Sequence, residues 1–224
     1  MRVTLEIGPK GKRVVAVAPD WPGLERGAKS PEDAVDRLRS YIPRYAPVAK
    51  LGAMGTEFAK VKGIEVVEGY PGTGSTDFWG ISFAFSSLDR RAMSSDELER
   101  ELTLMQACWA FFDEVGHRVS AVLQKGPRGG GRDRDRIVRH TLAAEQSWAK
   151  GVGVHTPEDG MLTGNELKAY RDAYCQAIRS YHSQGKMAGK MAPWPLRYLI
   201  RHTAFHTLDH AWEMEDKDLT AKQA

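Results

Sequence analysis

Everything after residue 92 of this 224-residue chain is written in helical periods, and no other feature constrains its fold as strongly. SSDELERELTLMQACWAFFDEVGHRVSAVL opens on serine and acids. It then repeats apolar residues at Leu98, Leu102, Met105, Trp109 and Phe112. KGPRGGGRDRDR breaks the pattern. RDRIVRHTLAAEQSWAKGVG, LTGNELKAYRDAYCQAIRSYHSQGK and WPLRYLIRHTAFHTLDHAWEMED follow as three more helical stretches. The spacing predicts four helices of about 18–28 residues with short connections, an all-α up-down four-helix bundle over residues 93–224.

Residues 1–92 read differently, as a small α+β domain. VTLEIG and RVVAVAP are short β-rich runs, and IEVVEGY and DFWGISFAFSS read as two more strands. The second alternates Trp79, Ile81, Phe83 and Phe85. PDWPGLERGAKS reads as a Pro/Gly loop and GYPGTGSTDFWG as a hairpin or loop. In SPEDAVDRLRSYIPRY, Ser30 caps a helix with Pro31 in its first turn, and Pro43 is expected to end or bend it.

The chemistry concentrates in RHTAFHTLDHAWEMED. Three of the chain's seven histidines, His202, His206 and His210, are spaced four apart and share one helix face. An i,i+4 pair of neutral imidazoles can hold one metal ion. All three on one helix cannot, because the outer two are about 12 Å apart along the axis. Two of the three could bind, or none, and a bundle site would take its third ligand from another helix. His140, among Ile137, Val138, Leu142 and Trp148, is the best candidate and is expected near the bundle interior. Geometry alone leaves His202/His206 and His206/His210 equivalent. Position 207 is threonine, so the HExxH protease pattern is absent. Glu145, Asp209 and Glu213 are acids nearby, and Asp209 or Glu145 could orient an imidazole or accept a proton.

HTLAAEQSW and HTAFHTLDHAW resemble the motifs of the DinB/YfiT-like four-helix-bundle metalloenzymes over the last 130 or so residues. The resemblance implies His140, His206 and His210 as ligands of a divalent ion (zinc, nickel or iron) with open positions, and it leaves His202 outside. It implies a metal-dependent transferase or hydrolase acting on a small molecule. Characterised relatives include thiol-dependent transferases and isomerases that use a low-molecular-weight thiol such as mycothiol or bacillithiol, and many members have no known reaction. Such bundles often form homodimers. VAVAPDWPGLERGAKSPEDAVDRLRSYI resembles the HicB-type antitoxin fold over about 35 residues, with the shape carried over and not the role.

Composition narrows the remaining classes. Hydrophobic content of 42% and charged content of 27% fit a globular protein. No apolar run reaches membrane-spanning length and no signal peptide opens the chain, so the expected location is the cytoplasm. A net charge of +3 is too small to argue for nucleic acid, and the arginines of residues 125–136 alternate with aspartates. Cys108 and Cys175 read as buried apolar residues, as do Trp109, Trp148 and Trp212, with Trp194 at a rim. The competing reading is a non-enzymatic sensor or interaction module whose N-terminal domain binds a partner.

Overall fold

The computed structural model describes residues 1–126, 131–157, 161–184 and 194–220. The chain is an α+β protein: a small mixed sheet at the N-terminus, then a mostly helical remainder. Strands β1 (Arg2–Ile7), β2 (Val14–Val17) and β3 (Glu25–Ala28) precede helices α1 (Pro31–Leu51) and α2 (Gly55–Phe58). Strand β4 (Glu65–Pro71) and two short helices, α3 (Gly74–Trp79) and α4 (Ser87–Arg90), complete this part. The long helices are α5 (Ser95–Arg118), α6 (Arg134–Ala149), α7 (Gly164–Gln184) and α8 (Leu196–Lys217).

The sheet order is β3-β2-β1-β4, with β4 parallel to β1 and the other pairs antiparallel. The alternating DFWGISFAFSS segment is not a strand. Thr73 begins α3 with a capping box, and Gly80 ends it in the left-handed region at φ 67°. The amides of Phe83 and Ala84 then donate to the buried Glu6 carboxylate, at 2.9 and 3.1 Å, instead of to a neighbouring strand. A carboxylate cage outcompetes strand pairing there.

Two other expectations are corrected. Glu25–Ala28, inside the expected loop, pairs with β2, a strand too short and polar to show as a hydrophobic run. Helix α1 does not end at Pro43 but continues through Pro43 and Pro47 to Leu51, with Tyr45, Val48 and Ala49 buried behind the prolines. That burial offsets the missing amide donors. At the other end of the helical part, α5 stops at Arg118, since Val119 is already extended.

One hydrophobic core runs from Val3 in the sheet to Met214 in α8, so the two parts share an interior. Their junction is the DWPG turn. Gly23, at φ 93°, lies so close to α8 that a Cβ there would stand 2.7 Å from Leu208 Cδ1. Pro22 O accepts from the buried Tyr45 hydroxyl at 2.8 Å. Beside this turn, Arg201 of α8 is fully enclosed and pairs with Asp89 at 2.7 Å and Glu25 at 3.0 Å. Arg201 therefore ties both α4 and β3 to the helix that carries the histidines. Helix α8 packs along α5 and α6. Helix α7 reaches it through Tyr174 and Thr203, whose hydroxyls are 3.3 Å apart. Among the described residues no helix is long and apolar enough to cross a membrane. Cys108 and Cys175 are buried and free, Trp109 and Trp212 are buried, and Trp148 and Trp194 are half-buried.

Candidate metal centre

Helices α6 and α8 bring three imidazoles together. His206 and His210 stack on one face of α8, one turn apart, and His140 approaches from α6. Ring centroids are 4.5 Å apart for His206–His210, 5.0 Å for His140–His210 and 5.2 Å for His140–His206. One ring nitrogen of each lies within 4.8 Å of the other two. Ligands on a tetrahedral ion with bonds of about 2.0–2.1 Å are about 3.4 Å apart, so a small rotation closes the group. His140 has room for it, because its side chain is solvent-exposed and not turned to the interior as expected. His206 is half-buried and His210 buried.

The protonation chemistry suits cation binding. His210 Nδ1 is 2.8 Å from Glu213 Oε2, and Lys217 Nζ donates to Glu213 Oε1 at 2.9 Å. Burial alone would raise the Glu213 carboxyl, but the bonds from His210 and Lys217 outweigh it and bring it down to about 2. An ionised Glu213 keeps the proton on Nδ1 of His210 and leaves the Nε2 lone pair outward. Burial, and then the neighbouring His210 and His140, push His206 well below its ordinary value. Partial desolvation lowers the exposed His140 as well, with His210 adding to the effect. Both are held in the neutral form a metal requires. His206 Nδ1 is enclosed and has no hydrogen-bond partner, so no neighbouring group fixes a proton on that nitrogen. The donor set therefore fits a divalent ion.

His202 is placed elsewhere. It stacks on Tyr198 at 5.1 Å and 14° between planes, with Trp148 and Trp194 edge-on at 4.9 and 5.5 Å. Burial, with Arg201 adjacent, lowers its pKa to about 3. Spacing alone could not separate His202 from His210; the structure groups His210 with His140.

No family model, curated protein or solved structure matches the chain.

Of the acids considered from sequence, Asp209 points to β3, where its carboxylate is 3.5 Å from Arg26. Glu145 is buried on the α5/α7 side of α6, beside Arg171, Trp109 and Tyr170. Neither is placed in the histidine group. The residue that orients an imidazole is Glu213, three positions after His210, a spacing that puts two side chains on neighbouring helical positions. The remaining histidines are apart from the group: His117 and His155 are exposed, and His182 Nε2 lies 2.8 Å from Met93 O. The loop reading of 125–136 falls partly on residues 127–130, outside the described set. Around it, Lys125 Nζ donates to Gly131 O at 2.9 Å.

Proposed function

We propose that the protein is a divalent-metal-dependent enzyme acting on a small molecule, a transferase using a low-molecular-weight thiol or a hydrolase. The observation that carries the reading is the convergence of His140, His206 and His210 from two helices, with one nitrogen of each inside a 4.8 Å group. The helices α5 to α8 are read as an up-down four-helix bundle with this centre at one side.

Three protein donors leave coordination positions open, which suits catalysis rather than a structural ion. A divalent ion held there would lower the pKa of a water or thiol and so supply a nucleophile at neutral pH. By ligand type, zinc, nickel and iron all suit three imidazoles. The protein's own residues do the rest. His210, its tautomer fixed by Glu213, presents Nε2. Lys217 holds Glu213 in place. The exposed His140 leaves the centre open to solvent and substrate. Trp148, 5.1 Å from His206 and 4.9 Å from His202, forms an aromatic wall beside it. Asp209 and Glu145 are not assigned catalytic roles.

Cobalt substitution tests the reading. Metal-stripped protein reloaded with Co²⁺ should show ligand-field bands that change on adding a low-molecular-weight thiol, with a new thiolate-to-metal charge-transfer band. His206→Ala should abolish both. Bands that ignore the thiol while an ester or amide substrate is turned over would favour the hydrolase. Absence of any protein-dependent cobalt spectrum would remove the proposal.

A further inference from the structure

A cleft of about 410 Å³ opens where the N-terminal unit meets α5 and α8, and no member of the histidine group lines it. Its base carries a buried charge pair. Arg197, in the first turn of α8, is 6% exposed, and Glu101 of α5 is 3% exposed. Arg197 Nη1 donates to Glu101 Oε1. The other edge of the guanidinium is unsatisfied: Nε and Nη2 are enclosed and donate no hydrogen bond. Glu97 Oε2 stands 3.7 Å from Nη2, beyond hydrogen-bond reach. Glu101 Oε2 accepts nothing. Burial pushes the Arg197 guanidinium below its ordinary value.

Nε–H and Nη2–H are parallel donors on one edge of a planar group. Their spacing matches two oxygens of a carboxylate, phosphate or phosphonate. Burying those donors without partners costs stability, which a bound anion would recover. The acids around the cleft are already matched: Asp20 by Arg2, Glu57 by Arg100 and Glu97 by Arg91. Lys60 and Lys62, by contrast, are exposed on its rim and form no ion pair among the described residues. The rim thus carries surplus positive charge. Trp21 and Val61 supply apolar wall. The volume exceeds a bare inorganic anion and falls within the range of small-molecule sites.

We propose that this cleft binds a small organic anion. The enclosed, unsatisfied edge of Arg197 turns outward to meet the anion's carboxylate or phosphate-like group, Lys60 and Lys62 neutralise further charge, and its apolar part lies against Trp21 and Val61. The site is separate from the histidine centre and stands whether or not that centre holds a metal.

Isothermal titration of the full chain at low ionic strength tests this, with phenylphosphonate and benzoate as probes. Wild type should bind at least one of them saturably with one site per chain; the tighter probe identifies the head group. Lys60→Glu combined with Lys62→Glu, both on the exposed rim, should weaken binding about tenfold or more. Arg197→Gln combined with Glu101→Gln removes both buried charges together, so that neither is left unpaired, and should abolish binding. His206→Ala should leave it unchanged. No saturable binding in wild type, binding insensitive to the lysine reversal, or binding lost in His206→Ala would each overturn the proposal.

Discussion

His210 Nδ1 lies 2.8 Å from Glu213 Oε2, and this contact decides which nitrogen of His210 can face an ion. Glu213→Gln removes the charge that holds the Nδ1 proton while keeping the side chain's shape. Zinc affinity should fall about 10- to 100-fold, read by competition with a chromophoric chelator. An affinity within about threefold of wild type would mean that Glu213 only braces Lys217.

His202 is predicted to be dispensable for metal binding. Its ring is enclosed by Tyr198, Trp148 and Trp194. His202→Phe should retain metal, measured per chain by mass spectrometry, and should lower Tm only slightly because the aromatic nest is refilled. Loss of metal in His202→Phe with the fold intact would place His202 among the ligands.

Glu145 sets a pH dependence of stability. Burial raises its carboxyl from 4.5 to about 7, against the opposing influence of Arg171, Trp109 and Tyr170. The native state therefore keeps this proton to higher pH than the unfolded chain does. The associated stability is full below about pH 4.5 and is lost as pH rises through about 7. A glutamine side chain in its place has no proton to lose. In metal-stripped protein, the advantage of Glu145→Gln over wild type should grow by about 3 kcal/mol from about pH 4.5 to about pH 8. Urea unfolding at both pH values measures it, and a difference that does not change with pH would contradict the assignment.

Arg201 is predicted to be the largest single polar contributor at the junction of sheet and helices. It pairs with Asp89 and Glu25, all three buried. Arg201→Met leaves the ionised Asp89, and Glu25 whose carboxyl burial raises to about 8, enclosed without their cation and should cost about 3–5 kcal/mol in denaturant unfolding. Asp89→Asn together with Glu25→Gln on the Arg201→Met background should recover part of that loss. A near-neutral Arg201→Met would show that water reaches the cluster.

The long helices were legible because each repeats its apolar residues over many turns, as Leu98, Leu102, Met105 and Phe112 do on α5. Residues 73–90 were not. Their alternating aromatics imitate a strand, and the cage around Glu6 that folds them comes from partners up to 78 positions away. Strand Glu25–Ala28 was hidden for a similar reason: its inward Glu25 is balanced by Arg201, remote in sequence. At the histidines, the HxxxHxxxH spacing gave the α8 face. It could not choose between overlapping pairs, which depends on where α6 delivers His140. The second acid was likewise set by packing: Asp209 turns to Arg26, and Glu213 takes the position beside His210.

Metal stoichiometry tests the three-histidine centre most directly. Untagged protein, incubated with zinc and desalted, is measured beside His140→Ala, His206→Ala and His210→Ala, with circular dichroism confirming each fold. Wild type should hold about one ion per chain, and His140→Ala, His206→Ala and His210→Ala should each fall to about a tenth or less. Wild type holding less than about 0.2 ion per chain after zinc incubation would contradict that centre.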